Sequence, residues 1–108
     1  MEKIIPLTDL SLASTFSDYE SKFKALADQK RLHIMNLLCQ QEKISVMELT
    51  EKIGMPQSKL SYHLKVLLDA GFILKEEQGT YSYYTINEKE INHILSPELC
   101  CLFRPTCC

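Results

Sequence analysis

The sequence predicts a mainly α-helical domain that closes with a β-hairpin, the arrangement of a winged helix-turn-helix. Three observations predict it. Gly54-Met55-Pro56 separates two amphipathic stretches between Ile44 and Phe72; glycine can take the left-handed conformation that ends a helix, and proline cannot continue one. Leu60, Leu64, Leu67 and Leu68 then recur at i, i+4, i+7 and i+8, the spacing of a stripe that faces a core. From Phe72 the period changes. Ile73 to Gln78 and Tyr81 to Ile86 read as two strands around Gly79-Thr80, the second carrying the β-formers Tyr81, Tyr83, Tyr84, Thr85 and Ile86.

A chain of 108 residues makes one small domain, and 45% hydrophobic with 24% charged residues fits a folded globular protein. MEKIIPLTDLSLASTF lacks the apolar run of a signal peptide, and no apolar run approaches bilayer length, so a soluble cytoplasmic protein is expected. The net charge of −2 is not that of a simple basic nucleic-acid binder. Its distribution is uneven. Residues 22–43 carry five bases against two acids and residues 55–75 three against one, whereas residues 1–21 and 76–108 each carry −3. A basic middle between acidic ends is expected where one face meets phosphate.

In chain order, Ile4, Ile5, Leu7, Leu10, Leu12 and Phe16 stand among small polar residues, with Pro6 breaking the segment and a helix expected from about Asp9. Such an apolar end suits either a partner chain or the domain's own core. Ser17 to Asp28 reads as a helix with Tyr19, Phe23, Leu26 and Ala27 on one side. Asp28 can cap the next, Lys30 to Gln40, which turns Ile34, Leu37 and Leu38 inward and holds Cys39 as a small buried hydrophobe. Ser45 and Glu48 form an S-x-x-E capping box ahead of Val46, Leu49 and Ile53. After the hairpin, Asn87 is placed to cap a last helix, Glu88 to Leu95, with Ile91, Ile94 and Leu95 apolar. Residues 1–96 are thus read as one winged-helix DNA-binding and dimerisation domain, and residues 97–108, PELCCLFRPTCC, as a cysteine-rich sensing tail.

The helix that follows Pro56 has a second stripe. Ser58, Ser61, Tyr62 and Lys65 fall at i, i+3, i+4 and i+7, with Gln57 and Lys59 beside them and no carboxylate before Asp69. A helix in a DNA major groove needs short donors and acceptors for base edges, cations for phosphates and no negative charge. The competing reading is a solvated surface helix, but those usually mix both charge signs.

With these elements in place the chain resembles the ArsR/SmtB family of bacterial metal-responsive repressors across about residues 19–95. The matching segments are FKALADQKRLHIMNLL, ELTEKIGMPQSKLSYHLKVLLDAGFI and YYTIN, including Ser58, Ser61, His63, Leu64, Lys65, Val66, Leu67, Ala70 and Gly71. The resemblance implies a homodimeric repressor, paired through its first and last helices, that leaves an inverted-repeat operator when an inducer binds. Carried over, Gln57, Ser58, Lys59, Ser61 and Tyr62 would face base edges and nearby phosphates, and Lys65 a phosphate. His63 lies beside the leucine stripe and would either orient the helix or read a base. The wing departs from the family: its tip is Glu76-Glu77-Gln78-Gly79-Thr80 where many relatives are basic, leaving Lys75 and Thr80 as its candidate contacts.

Four of the five cysteines lie in the last nine residues. The helix before the recognition helix, SVMELTEK, has no thiol, and the last helix offers only His93, read as a surface or interface side chain. What remains is Cys100-Cys101-x5-Cys107-Cys108. Thiolates select soft ions, and arsenite or antimonite favours three of them in a pyramid. The CC-x5-C spacing resembles arsenite sensors of the family with C-terminal thiols; on that match Cys100, Cys101 and Cys107 are ligands to As(III) or Sb(III), with Cys108 a spare or an alternative to Cys107. Four thiols could instead hold Zn²⁺ or Cd²⁺, although structural zinc sites usually space their cysteines more widely. Exposed thiols could also sense oxidation. No C-x-x-C, sequence-near Cys-His pair or phosphate-binding loop supports an enzyme or a catalytic cofactor. A protein-binding winged helix is the other rival, and the acidic wing would suit it.

Overall fold

The computed structural model describes residues 10–41 and 43–95, with side chains from residue 15 onward. Among these described residues five helices and three strands follow one another as α1 (Leu10–Leu26), α2 (Gln29–Gln40), β1 (Ile44–Ser45), α3 (Val46–Ile53), α4 (Gln57–Ala70), β2 (Ile73–Gln78), β3 (Tyr81–Ile86) and α5 (Glu88–Ile94). The mainly helical winged helix-turn-helix expected from the sequence is what forms.

Local chemistry sets most boundaries. Asp28 is the N-cap of α2, its carboxylate accepting from the backbone N–H groups of Lys30 at 2.8 Å and Arg31 at 3.2 Å. Ser45 and Glu48 close the capping box of α3: the Glu48 N–H donates to Ser45 Oγ, and the Ser45 N–H donates to Glu48 Oε1, each at 3.3 Å. Gly54 ends α3 at φ +74° and Gly71 ends α4 at φ +87°, left-handed values costly for any residue with a Cβ. Gly79 makes the turn between β2 and β3 at φ +64°.

β2 and β3 pair antiparallel from Ile73 with Ile86 to Gln78 with Tyr81. One element escapes periodicity altogether. Ile44 and Ser45 add a third strand against Tyr84 and Tyr83, giving the order β1-β3-β2. Two residues are too few to show alternation, so only the pairing reveals the strand.

The core gathers Ile34, Met35 and Leu38 of α2, Leu49 of α3, Leu60, Leu64 and Leu67 of α4, Phe72, Ile73 and Ile91. The α4 leucines Leu60, Leu64 and Leu67 are at most 1% exposed. Burying each contributes about 1.5–3 kcal/mol, whereas the exposed Lys65–Asp69 pair at 3.4 Å is of a kind worth about 0–1 kcal/mol. The leucine stripe therefore decides which face of α4 looks outward.

Three expectations need correction. The segment from residue 10 to residue 26 is a single helix of 17 residues. Its expected apolar side is only partly a core face: Leu26 packs against the core and Tyr19 is half-buried, but Phe23 is 58% exposed and Ala27 is exposed, while Ala25 is fully buried. Asn87 stands at the N-terminus of α5 without a side-chain cap bond; its amide donates instead to Gly71 O at 2.8 Å. Among the described residues no helix is long and apolar enough to cross a membrane.

Candidate nucleic-acid interface

With the leucine stripe inward, α4 turns Gln57, Ser58, Lys59, Ser61, Tyr62 and Lys65 outward, all exposed. These are the residues the sequence singled out, and the fold brings them onto one face. Tyr62 is 61% exposed, so its phenol is available rather than packed away. The N-cap residue of α4 is Pro56, which supplies no side-chain cap. A helix N-terminus of that kind offers backbone donors and the positive end of its dipole to an anion.

His63 differs from its neighbours. It is half-buried, its ring packs edge-on against Tyr62 with centroids 5.3 Å apart, and its Nδ1 lies 3.1 Å from Arg31 Nη1. Guanidinium has no acceptor, so Arg31 donates and Nδ1 accepts, which puts the proton of a neutral imidazole on Nε2. The same guanidinium donates to two carbonyls at the end of α1, Ala25 O at 2.7 Å from Nε and Lys24 O at 3.1 Å from Nη2. Arg31 thereby ties the end of α1 and the start of α2 to the outward helix. Nothing in local sequence marks Arg31 for this, because its partners lie up to 32 residues away.

Asp28 completes the cluster, 4.0 Å from Arg31 Nη1. Partial burial pushes its carboxyl up, but the backbone N–H groups of Arg31 and Lys30, followed by the Arg31 charge, outweigh burial and hold it below the ordinary 3.8.

In the wing, Lys43 pairs with Glu76 at 3.2 Å and lies 5.4 Å from the centre of the Tyr83 ring, while Lys75 pairs with Glu77 at 3.7 Å. The cation expected at the wing is thus engaged by its own strand. Thr80 is exposed in the turn, and Thr80, Tyr81 and Ser82 line a cleft with Gln57 and the start of α3.

Cys100, Cys101, Cys107 and Cys108 lie outside the described residues. Among the described residues no group of three histidines, cysteines or carboxylates could hold a metal ion. Cys39 is half-buried beside a cleft between the end of α2 and the β3–α5 junction. His93 is exposed and its Nε2 lies 3.0 Å from the Tyr19 hydroxyl, joining α5 to α1.

Comparison with known proteins accords with this geometry. Residues 28–75 match the family of bacterial regulatory proteins described as the arsR family. The arsenical resistance operon repressor of Bacillus subtilis (strain 168) is 64% identical over 86 residues, spanning 80% of this chain and 82% of that protein. The arsenical resistance operon repressor of Escherichia coli (strain K12) is 35% identical over 65 residues, 60% of this chain and 56% of that one. Among solved structures, the solution structure of a homodimeric winged helix-turn-helix DNA-binding domain from Mycobacterium bovis superposes with a TM-score of 0.72 at 26% identity, covering 84% of this chain and 82% of that one. The transcriptional repressor PagR of Bacillus anthracis superposes with a TM-score of 0.64 at 27% identity, over 76% of this chain and 93% of that one.

Proposed function

The chain belongs to the arsR family of bacterial regulatory proteins, DNA-binding transcriptional regulators rather than enzymes, and on that premise we propose that it is a homodimeric repressor released from an inverted-repeat operator by As(III) or Sb(III). The observation that carries the DNA reading is the outward face of α4, hydroxyls, an amide and ammoniums set opposite a buried leucine stripe. Ser58, Ser61, Tyr62 and Gln57 supply donors and acceptors for base edges, and Lys59 and Lys65 meet phosphates. His63, held by Arg31, orients the helix and supports Tyr62. In a dimer two such helices enter successive major grooves about 34 Å apart.

Dimerisation has support in α1. Phe16 and Phe23 lie two turns apart, both exposed, with Tyr19 between them. Exposed aromatic side chains of this size on one helix are costly to leave in water and suit a second copy. The M. bovis structural relative is itself described as homodimeric.

For the inducer, Cys100, Cys101 and Cys107 provide three soft thiolates, with Cys108 a spare, and residues 97–108 serve as the sensing tail behind the winged-helix domain of residues 1–96. Thiolate donors fit thiophilic ions, and two of the relatives reported above, those of B. subtilis and E. coli, are arsenical resistance operon repressors. Release requires that the ion bind the DNA-incompetent form more tightly. A coupling of about 1–3 kcal/mol changes operator affinity roughly 5–150-fold, and operator DNA must weaken ion affinity by the same factor.

A fluorescence-anisotropy titration of reduced protein on an inverted repeat from its own promoter tests this, with arsenite and zinc compared. Release by arsenite near one ion per subunit, and not by zinc, is expected. Binding that neither ion alters would remove the sensor and leave the repressor. Binding insensitive to salt would remove the DNA reading, since phosphate contacts release counterions.

A further inference from the structure

The C-terminal end of α4 is held by two other helices. An α-helix ends with carbonyls that have no partner of its own and with the negative end of its dipole. Within α4 the Gly71 N–H turns back to Leu67 O and Leu68 O, and the Phe72 N–H to Leu67 O. The three carbonyls that follow Asp69 go elsewhere. Ala70 O accepts from Lys22 Nζ of α1 at 2.7 Å, Gly71 O from the Asn87 amide at 2.8 Å, and Phe72 O from the Asn87 N–H at 2.9 Å.

Lys22 is itself fixed. Its ammonium pairs with Glu90 of α5 at 3.3 Å and lies 5.7 Å from the centre of the Phe72 ring. Both side chains are about four-fifths withdrawn from water, at 21% and 20% exposure. Glu90 Oε2 is buried with no hydrogen-bond partner among the described residues, so Lys22 is the charge that compensates this carboxylate. A Cβ at Gly71 would lie 3.6 Å from Lys22 Nζ and 3.7 Å from Glu90 Oε1, so the pair packs directly on the helix end.

We propose that Lys22 and Glu90 are positioning residues, a clamp that sets the angle of α4 against α1 and α5 and so the spacing of the two outward helices in a dimer. This rests on the reading of α4 as the operator-binding helix. Lys22 joins three elements through one atom: the helix that carries the exposed aromatics, the helix that leads into the thiol tail, and the end of α4. A shift of α5 that draws Glu90 away removes the carboxylate that steers the ammonium, so that Lys22 is no longer fixed over Ala70 O and the angle of α4 is less firmly set. Asn87 alone then holds the helix end.

The test uses the 108-residue chain as wild type, Lys22→Met, Lys22→Arg and Glu90→Gln. Amide exchange at Gly71 and Phe72 is measured by NMR, and anisotropy compares an inverted-repeat operator with a single half-site. Lys22→Met should raise exchange at both amides by about tenfold and cost about tenfold in full-operator affinity, as expected for one charged hydrogen bond. Half-site affinity should stay constant, because one helix needs no spacing. Lys22→Arg should restore most of the preference for the full operator. Glu90→Gln, which keeps the shape, should move both readings the same way by less. Unchanged exchange in folded Lys22→Met would overturn the clamp, as would equal losses on full and half-sites. If wild type bound neither DNA, the operator reading would fail, and the exchange measurement would still decide the clamp.

Discussion

Arg31 Nη1 and His63 Nδ1 are 3.1 Å apart, a contact between α2 and the outward helix that spans 32 positions of sequence. Because the guanidinium also holds Ala25 O and Lys24 O, the imidazole is fixed against the end of α1 rather than left free to search a groove. His63→Gln should therefore lower affinity for all operator variants alike. Anisotropy across single-base operator substitutions checks this. Loss of discrimination at one base pair would make His63 a reader instead.

Ser61 and Tyr62 stand on the exposed face with no such tether to another helix among the described residues. Ser61→Ala or Tyr62→Ala should each cost about 1–3 kcal/mol in operator binding, with arsenite binding unchanged in a direct titration. Lys59→Ala should weaken all DNA similarly and reduce the salt slope by about one.

Asp28 supplies a pH dependence. Its folded pKa is depressed below 3.8, so its stabilisation is complete above the unfolded value and is lost as pH falls through the folded one. Asp28→Ala should cost about 0.5–2 kcal/mol near neutrality, the range for an N-cap. Urea unfolding should show that difference shrinking below about pH 4. A gap constant with pH would mean that the cap's charge contributes nothing.

The thiols separate repression from induction. Cys100→Ser, Cys101→Ser or Cys107→Ser should abolish release by arsenite while operator affinity stays at the wild-type value. Cys108→Ser should retain release. The same anisotropy titration reads all four, and induction surviving in Cys100→Ser would move the site elsewhere.

Phe16 and Phe23 test the dimer. Phe23→Glu places a charge where an apolar contact is proposed, and sedimentation should show a shift toward monomer, with full-operator affinity falling in parallel. A dimer indifferent to this change, and to Phe16→Glu, would place the interface off the aromatic side of α1.

β1 aside, the order of the elements, the inward leucines of α4, the capping box at Ser45 and the hairpin at Gly79 could all be read from the chain alone. Each depends on residues a few positions apart, where turn chemistry and side-chain periodicity act. The outward face of α4 was legible for the same reason: once Leu60, Leu64 and Leu67 are inward, helical geometry leaves Ser61, Tyr62 and Lys65 no other side.

What those elements are tied to emerges from the packing of the whole chain. Tyr19 and Phe23 have the spacing of a core face, yet the space beneath α1 is filled through Ala25, and Phe23 is left in solvent. Asn87 looks like a cap, yet its amide serves the end of α4. Lys22 and Arg31 read as two basic residues among many, and become anchors because long side chains meet carbonyls that the chain brings near from 48 and 6 positions away. A carbonyl at a helix end must find a donor, but which donor reaches it depends on how the helices pack, and packing is set by the whole core rather than by any neighbour in sequence.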